Sequence, residues 1–106
     1  MRKLIILLLF AGSILAQEVV ELKLENSNKV VVMLRFMNGS VSDPAGKEGL
    51  TFATVNLIAQ GGSEKLSYSE IQDEIYPMAA QYGAFVDKEV STFNFQVHVD
   101  HLDNFY

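Results

Sequence analysis

The segment that most restricts the fold is residues 29–37, because it is apolar on both sides of an extended chain. Only Arg35 interrupts the apolar run that follows Lys29. One side carries Val30, Val32, Leu34 and Phe36, and the other carries Val31, Met33 and Met37. Strands that are buried on both faces have apolar runs of this kind, whereas half-buried strands alternate. The segment therefore predicts a central strand that is covered on both sides.

Two other segments, residues 20–25 and 91–99, alternate between apolar and polar residues, which is typical of half-buried strands. Residues 84–89 predict a further short strand. The Asn-Ser-Asn sequence at 26–28 predicts a turn, because these side chains bond readily to their own backbone. Residues 38–49 contain Asn-Gly, Asp-Pro and two further glycines, so they predict a loop.

Two helices are predicted between the strands. The first, Leu50–Gln60, is followed by a Gly-Gly pair that provides a stop signal. Its expected inward stripe is Leu50, Ala53, Leu57 and Ile58. Ser67, with Glu70 three residues later, is a capping-box sequence that opens the second helix. The residues expected to face inward from it are Ile71, Ile75, Met78, Ala79 and Tyr82. Pro77 is expected to kink this helix near Tyr76.

This order of elements predicts an α+β fold, a mostly antiparallel sheet with two helices packed on it. Near the end of the chain, Asp100 is expected to cap a further helix. Its first turns would place three apolar side chains on one side, namely Leu102, Phe105 and Tyr106. No facing element follows them, so we expect residues 17–106 to be the truncated N-terminal part of a larger domain.

Residues 1–16 have the three parts of a secretory signal: a basic head, an apolar run over 4–10 and a small residue, Ala16, at the end. The run is shorter than the roughly 20 residues that cross a bilayer. We therefore expect export to the periplasm or extracellular space, with no membrane insertion after processing. Residues 17–106 hold six of the eight basic residues and all thirteen acidic ones, a net charge of −7. This balance argues against nucleic acid as a partner.

The loop after the apolar strand carries four residues whose order and spacing are typical of one peptidase family. Gly39 and Ser40 end the strand, Asp43 lies three residues after the Ser, and Gly49 with Leu50 opens the helix. In this arrangement the chain resembles the insulinase/pitrilysin family of zinc metallopeptidases, over nearly all of residues 17–106. The resemblance implies the opening part of one insulinase-type domain, in which Gly39, Ser40, Asp43 and Gly49 have structural or substrate-enclosing roles.

The family's zinc motif, His-x-x-Glu-His, is missing where the resemblance would place it. In the family, the two histidines bind zinc and the Glu activates the bound water. Counted on from Gly49, the three positions hold Phe52, Val55 and Asn56. Phe and Val offer no lone pair, and a single Asn amide is a poor zinc ligand. The family's third ligand would lie beyond Tyr106. We therefore expect no catalytic residue, no zinc and no other cofactor.

The resemblance implies a non-catalytic, metallopeptidase-like protein that serves as a structural or substrate-enclosing partner. Its expected partners are a catalytic insulinase-family subunit or C-terminal half-domain, together with unfolded peptides. The alternative is a small exported protein-binding module without a peptidase role. A hydrolase using other residues is a third option, but no triad is recognisable. His98, Asp100 and His101 form the one rival metal cluster, and their spacing favours two solvated histidines beside a helix cap.

Overall fold

A computed structural model of the chain describes residues 18–105. The predicted signal sequence and Tyr106 lie outside this range. The described elements, in chain order, are β1 (Lys29–Phe36), α1 (Leu50–Gln60), α2 (Tyr68–Ile75), β2 (Gln81–Val86), β3 (Ser91–His98) and α3 (Leu102–Phe105). Short 3-10 turns lie at Ser40–Ser42, Tyr76–Met78 and Val99–His101. None of the helices within 18–105 has the length and apolar character needed to cross a bilayer.

The three strands form one antiparallel sheet in the order β1-β3-β2, which confirms the predicted α+β class. Lys29 lies opposite His98 at one end of the β1–β3 pair, and Phe36 lies opposite Ser91 at the other. Residues directly opposite each other share a face of the sheet. We call the side that carries Val30, Val32, Leu34 and Phe36 the first face, and the side that carries Val31, Met33 and Arg35 the second face.

β1 is an edge strand, so the prediction that residues 29–37 form a covered central strand was wrong. Among residues 18–105, β1 pairs with β3 and has no strand along its other side. Its side chains are about half exposed on both faces. The exposed fractions are 52% for Val31, 48% for Val32, 61% for Met33 and 49% for Leu34. An apolar run shows what environment its side chains favour, but not whether the same chain supplies that environment.

The central strand is β3, and a small core lies on the first face near its C-terminal end. Ile75, Ala80 and Val97 are the buried residues of this core. The partly buried residues packed against them are Val30, Ile71, Met78, Tyr82, Leu102 and Phe105. Leu102 and Phe105 therefore contact the core, which corrects the expectation that they would lack a facing element.

α1 has its predicted bounds, but a different face of it is buried. Thr51 and Val55 are the buried residues, one helical turn apart, and α1 packs against β2. The residues of the predicted inward stripe are instead exposed, 47% for Leu50, 71% for Leu57 and 64% for Ile58. Apolar periodicity alone could not identify the buried face, because this helix is apolar over most of its circumference.

α2 begins with the predicted capping box. The Ser67 hydroxyl accepts the backbone N–H of Glu70 at 3.4 Å, and the Glu70 carboxylate accepts the backbone N–H of Ser67 at 2.8 Å. The helix ends at Ile75, and Pro77 lies in the following 3-10 turn instead of kinking a longer helix. Proline suits this position because it needs no backbone donor in the first turn of a helical segment.

Three other predicted features differ from the structure. The short strand predicted at 84–89 begins earlier, as β2, and contains Tyr82, which was expected to face inward from the second helix. Residues 20–25 form no strand, although the predicted turn is present, with the Ser27 N–H donating to the Leu24 carbonyl at 3.3 Å. At the end of the chain, the cap is His98 instead of Asp100. Its Nδ1 accepts the backbone N–H of Asp100 at 3.3 Å, ahead of the 3-10 turn that leads into α3.

Candidate functional site

The segment that ends β1 is held against the β2–β3 hairpin by backbone hydrogen bonds. The Ser40 N–H donates to the Asp87 carbonyl at 3.0 Å, and the Val41 N–H donates to the Lys88 carbonyl at 2.9 Å. Gly39 is buried beside this contact, and a Cβ there would overlap the backbone of Asp87 and Lys88. A glycine at position 39 therefore permits the close approach of the two backbones at this contact.

A second contact fixes the end of this segment from the hairpin side. The Ser91 hydroxyl, which is buried, donates to the Asn38 carbonyl at 2.5 Å. Sequence reasoning missed Ser91, because a serine at the start of a strand carries no signal for a partner 53 residues away.

Asp43 connects this segment to the start of α1. One carboxylate oxygen accepts the backbone N–H of Gly49 at 2.7 Å. The other accepts the backbone N–H of Thr51 at 2.9 Å and the Thr51 hydroxyl at 2.5 Å. These N–H groups belong to the first turn of α1, where no carbonyl within the helix can satisfy them. Asp43 thus caps α1 from outside the helix, six residues before Gly49 and eight residues before Thr51.

The capping contacts also set the charge state of Asp43. The Thr51 hydroxyl is the largest influence that lowers the pKa of Asp43 below its ordinary value of 3.8, and the Thr51, Gly49 and Leu50 backbone contributes in the same direction. Gly49 completes the arrangement with φ of 91°, a left-handed conformation that glycine adopts without strain. Gly39, Ser40, Asp43 and Gly49 therefore form one connected loop that positions α1 against the hairpin.

The three positions at which the resemblance would place the zinc motif are neighbours on α1, three and four residues apart, but they differ in exposure. Phe52 is 59% exposed and Val55 is 6% exposed. The Asn56 amide donates to the Phe52 carbonyl one turn back, at 2.8 Å. None of the three side chains can act as a general base, and only the Asn56 amide carries a polar atom. Within residues 18–105, no group of three His, Cys, Asp or Glu side chains is close enough to hold a metal ion.

His98, Asp100 and His101 lie together at the C-terminal end of β3. His98 Nδ1 is 3.4 Å from the Asp100 carboxylate, and the His98 and His101 rings are 6.3 Å apart. Because Nδ1 accepts the Asp100 backbone N–H, that nitrogen is committed to a structural bond. The arrangement is that of a cap, formed by His98 instead of the expected Asp100, and both histidines are partly buried instead of solvated.

Two apolar surfaces remain open around this loop. The apolar sheet surface consists of Val32, Leu34, Phe36, Phe93 and Phe95 on the first face, of which Phe93 and Phe95 are partly buried. The Phe36 and Phe93 rings meet edge to face at 6.0 Å, and Phe36 is 53% exposed. The apolar flank of α1 consists of Leu50, Leu57 and Ile58. Exposed apolar surface is common at sites of protein association.

No protein-family model matches the chain, and no curated protein matches it significantly.

Proposed function

We propose that this chain is a non-catalytic, insulinase-type protein that acts as a structural or substrate-enclosing partner of an active zinc peptidase half. The observation that carries the proposal is the open apolar flank of α1. Leu57 and Ile58 are 71% and 64% exposed on the helix that would hold zinc in the family. The proposed role replaces metal chemistry on this helix with surface for a protein partner.

The loop of Gly39, Ser40, Asp43 and Gly49 supports this role because its hydrogen bonds tie the start of α1 to the sheet. Asp43 satisfies N–H groups at both Gly49 and Thr51, and the Ser40 backbone joins the loop to the hairpin. A rigid element that presents apolar side chains loses little conformational entropy when a partner binds. The partner is expected to be a catalytic insulinase-family subunit or half-domain, and the enclosed substrate an unfolded peptide.

The test is to produce the chain together with an insulinase-type peptidase from the same organism that retains His-x-x-Glu-His. We expect the two to copurify, with zinc on the partner alone and faster cleavage of an unfolded peptide by the pair. The Leu57→Lys variant should lose both copurification and stimulation, because it places a charge in the contact. Ser69→Lys, which changes an exposed residue of α2, is the matched control and should behave as the parent chain.

Copurification without any effect on peptide cleavage would leave a binding role and remove the substrate-enclosing one. If no such peptidase binds, the function as a peptidase partner fails. The small protein-binding module is then the better description, and the contact of Leu102 and Phe105 with the core is the feature that favours it.

A further inference from the structure

The outer edge of β1 is an open surface of the described chain, because its backbone has no neighbouring strand and most of its apolar side chains are about half exposed. Within residues 18–105, no strand pairs with this edge. On the second face, Val31 and Met33 lie opposite Gln96 and Asn94 of β3, so their apolar contacts are not supplied by β3. Unpaired edges with exposed apolar side chains are sites where a further strand can add.

The chain itself contains a segment with the pattern of such a strand. Residues 20–24 alternate between apolar and polar residues, yet residues 18–24 form no regular structure and are exposed. Its apolar side chains are largely exposed, at 88% for Val19, 70% for Val20, 83% for Leu22 and 75% for Leu24. Residues 18–24 and the outer edge of β1 therefore both lack a neighbouring strand within the described residues.

Charge and side-chain order select one antiparallel register between them. With Leu24 opposite Lys29, Leu22 lies opposite Val31, Val20 opposite Met33 and Glu18 opposite Arg35. The second face then gains two apolar pairs and one ion pair, each a stabilising kind of cross-strand contact. Glu21 and Lys23 fall on the other face, two residues apart and of opposite charge. A shift by two residues would put Val20 against Arg35 and lose the ion pair.

We infer that the edge of β1 binds residues 18–24 of a second copy of this chain, and that two copies exchange these segments reciprocally. In the structure the segment does not pair with its own β1, so the edge is open to the same segment of another molecule. Residues 25–28 act as the hinge, and Asn26 already has a positive φ of 67° there. Exchange of identical segments gives a closed dimer with two-fold symmetry.

The chain has no cysteine, which permits a direct test by disulfide trapping. Two tagged forms of the full chain, Val20→Cys and Met33→Cys, are produced in the same cells and exposed to a mild oxidant. We expect a disulfide-linked heterodimer. The matched control pairs Val19→Cys with Met33→Cys, which places the two thiols on opposite faces of the sheet and should give no linkage.

A charge-exchange series provides a second, independent measurement. Glu18→Lys or Arg35→Glu alone should weaken dimerisation about tenfold, because the pair occurs twice in the dimer. The double variant should recover the parent dimer, and Glu64→Lys in an exposed loop should have no effect. Linkage within one chain carrying both cysteines, without any heterodimer, would show a hairpin inside one molecule and overturn the exchange. Equal linkage in the control pair, or none in either, would also overturn it.

Discussion

At the scale of single residues, Asp43 is the side chain that connects two elements of the fold. Its carboxylate accepts two backbone N–H groups and one hydroxyl, and it thereby links the end of β1 to the start of α1. The family resemblance singled out Asp43 as a residue of the loop. No pattern in the sequence indicated that Thr51 would be its hydrogen-bond partner. A threonine inside a helix carries no sequence signal for a distant partner. The contact exists because the loop over residues 38–49 brings the Asp43 carboxylate back to the start of α1.

Replacing Asp43 by Asn should lower the Tm by about 5 °C at neutral pH, because one amide oxygen cannot replace both carboxylate oxygens. The pKa of Asp43 in the folded chain is lowered from 3.8, so its stabilising effect is present above about pH 4 and is lost as pH falls through the folded pKa. The Tm difference between parent and Asp43→Asn should therefore shrink in acid. Thermal scans across this pH range check it, with Asp73→Asn, an exposed acid of α2, as the control. An unchanged difference in acid would contradict the carboxylate's role.

At the scale of elements, the sequence predicted local structure well and the surroundings of each element poorly. The bounds of α1 and the capping box at Ser67 depend on contacts within a few residues, and both are present as predicted. The edge position of β1 depends on which other strands exist, and no local pattern contains that information. The buried face of α1 likewise depends on distant contacts, the packing of the helix against β2 and the hydrogen bonds of Thr51 to Asp43.

Replacing Ser67 by Ala should destabilise the chain by about 1 kcal/mol, because the backbone N–H of Glu70 loses its acceptor. The effect should reach the core, since Ile71 and Ile75 of the same helix pack there. Urea unfolding of the two proteins measures the difference. Ser69→Ala is the matched control, and it should be neutral or slightly stabilising, because alanine favours a helix. Equal losses in both variants would show that the capping box has no specific effect.

Introducing a His-x-x-Glu-His motif into α1, at the positions where the resemblance would place it, should not create a metal site. Phe52→His and Asn56→His would provide two ligands one turn apart, one fewer than the three protein ligands of a catalytic zinc site. Val55→Glu would in addition bury a carboxylate at a position that is only 6% exposed, so the triple variant should also be less stable. Elemental analysis and unfolding measurements check both parts. One tightly held zinc per chain would contradict the geometry.

At the scale of the whole molecule, the described chain has a small core and a large open apolar surface. Three buried residues form the core, while β1 and α1 present apolar side chains outward. Small domains have little stability to spare, so the open surfaces are expected to govern whether the chain remains soluble. From the sequence we expected Leu102 and Phe105 to be the apolar side chains without a facing element. In the structure these two pack against the core, and the exposed apolar side chains lie on β1 and α1.

The apolar flank of α1 can be separated from the core by substitution, because its side chains are exposed while Val55 beside them is buried. The double variant Leu57→Gln, Ile58→Gln should aggregate less on heating, as followed by light scattering. Its free energy of unfolding should stay within about 0.5 kcal/mol of the parent, the usual range for surface changes. Val55→Gln is the contrasting variant. It should lower that free energy by about 2–4 kcal/mol and increase aggregation, because it leaves a polar group in an apolar site. If the double variant were as destabilised as Val55→Gln, the flank would belong to the core of the chain, and α1 would offer no surface for a partner.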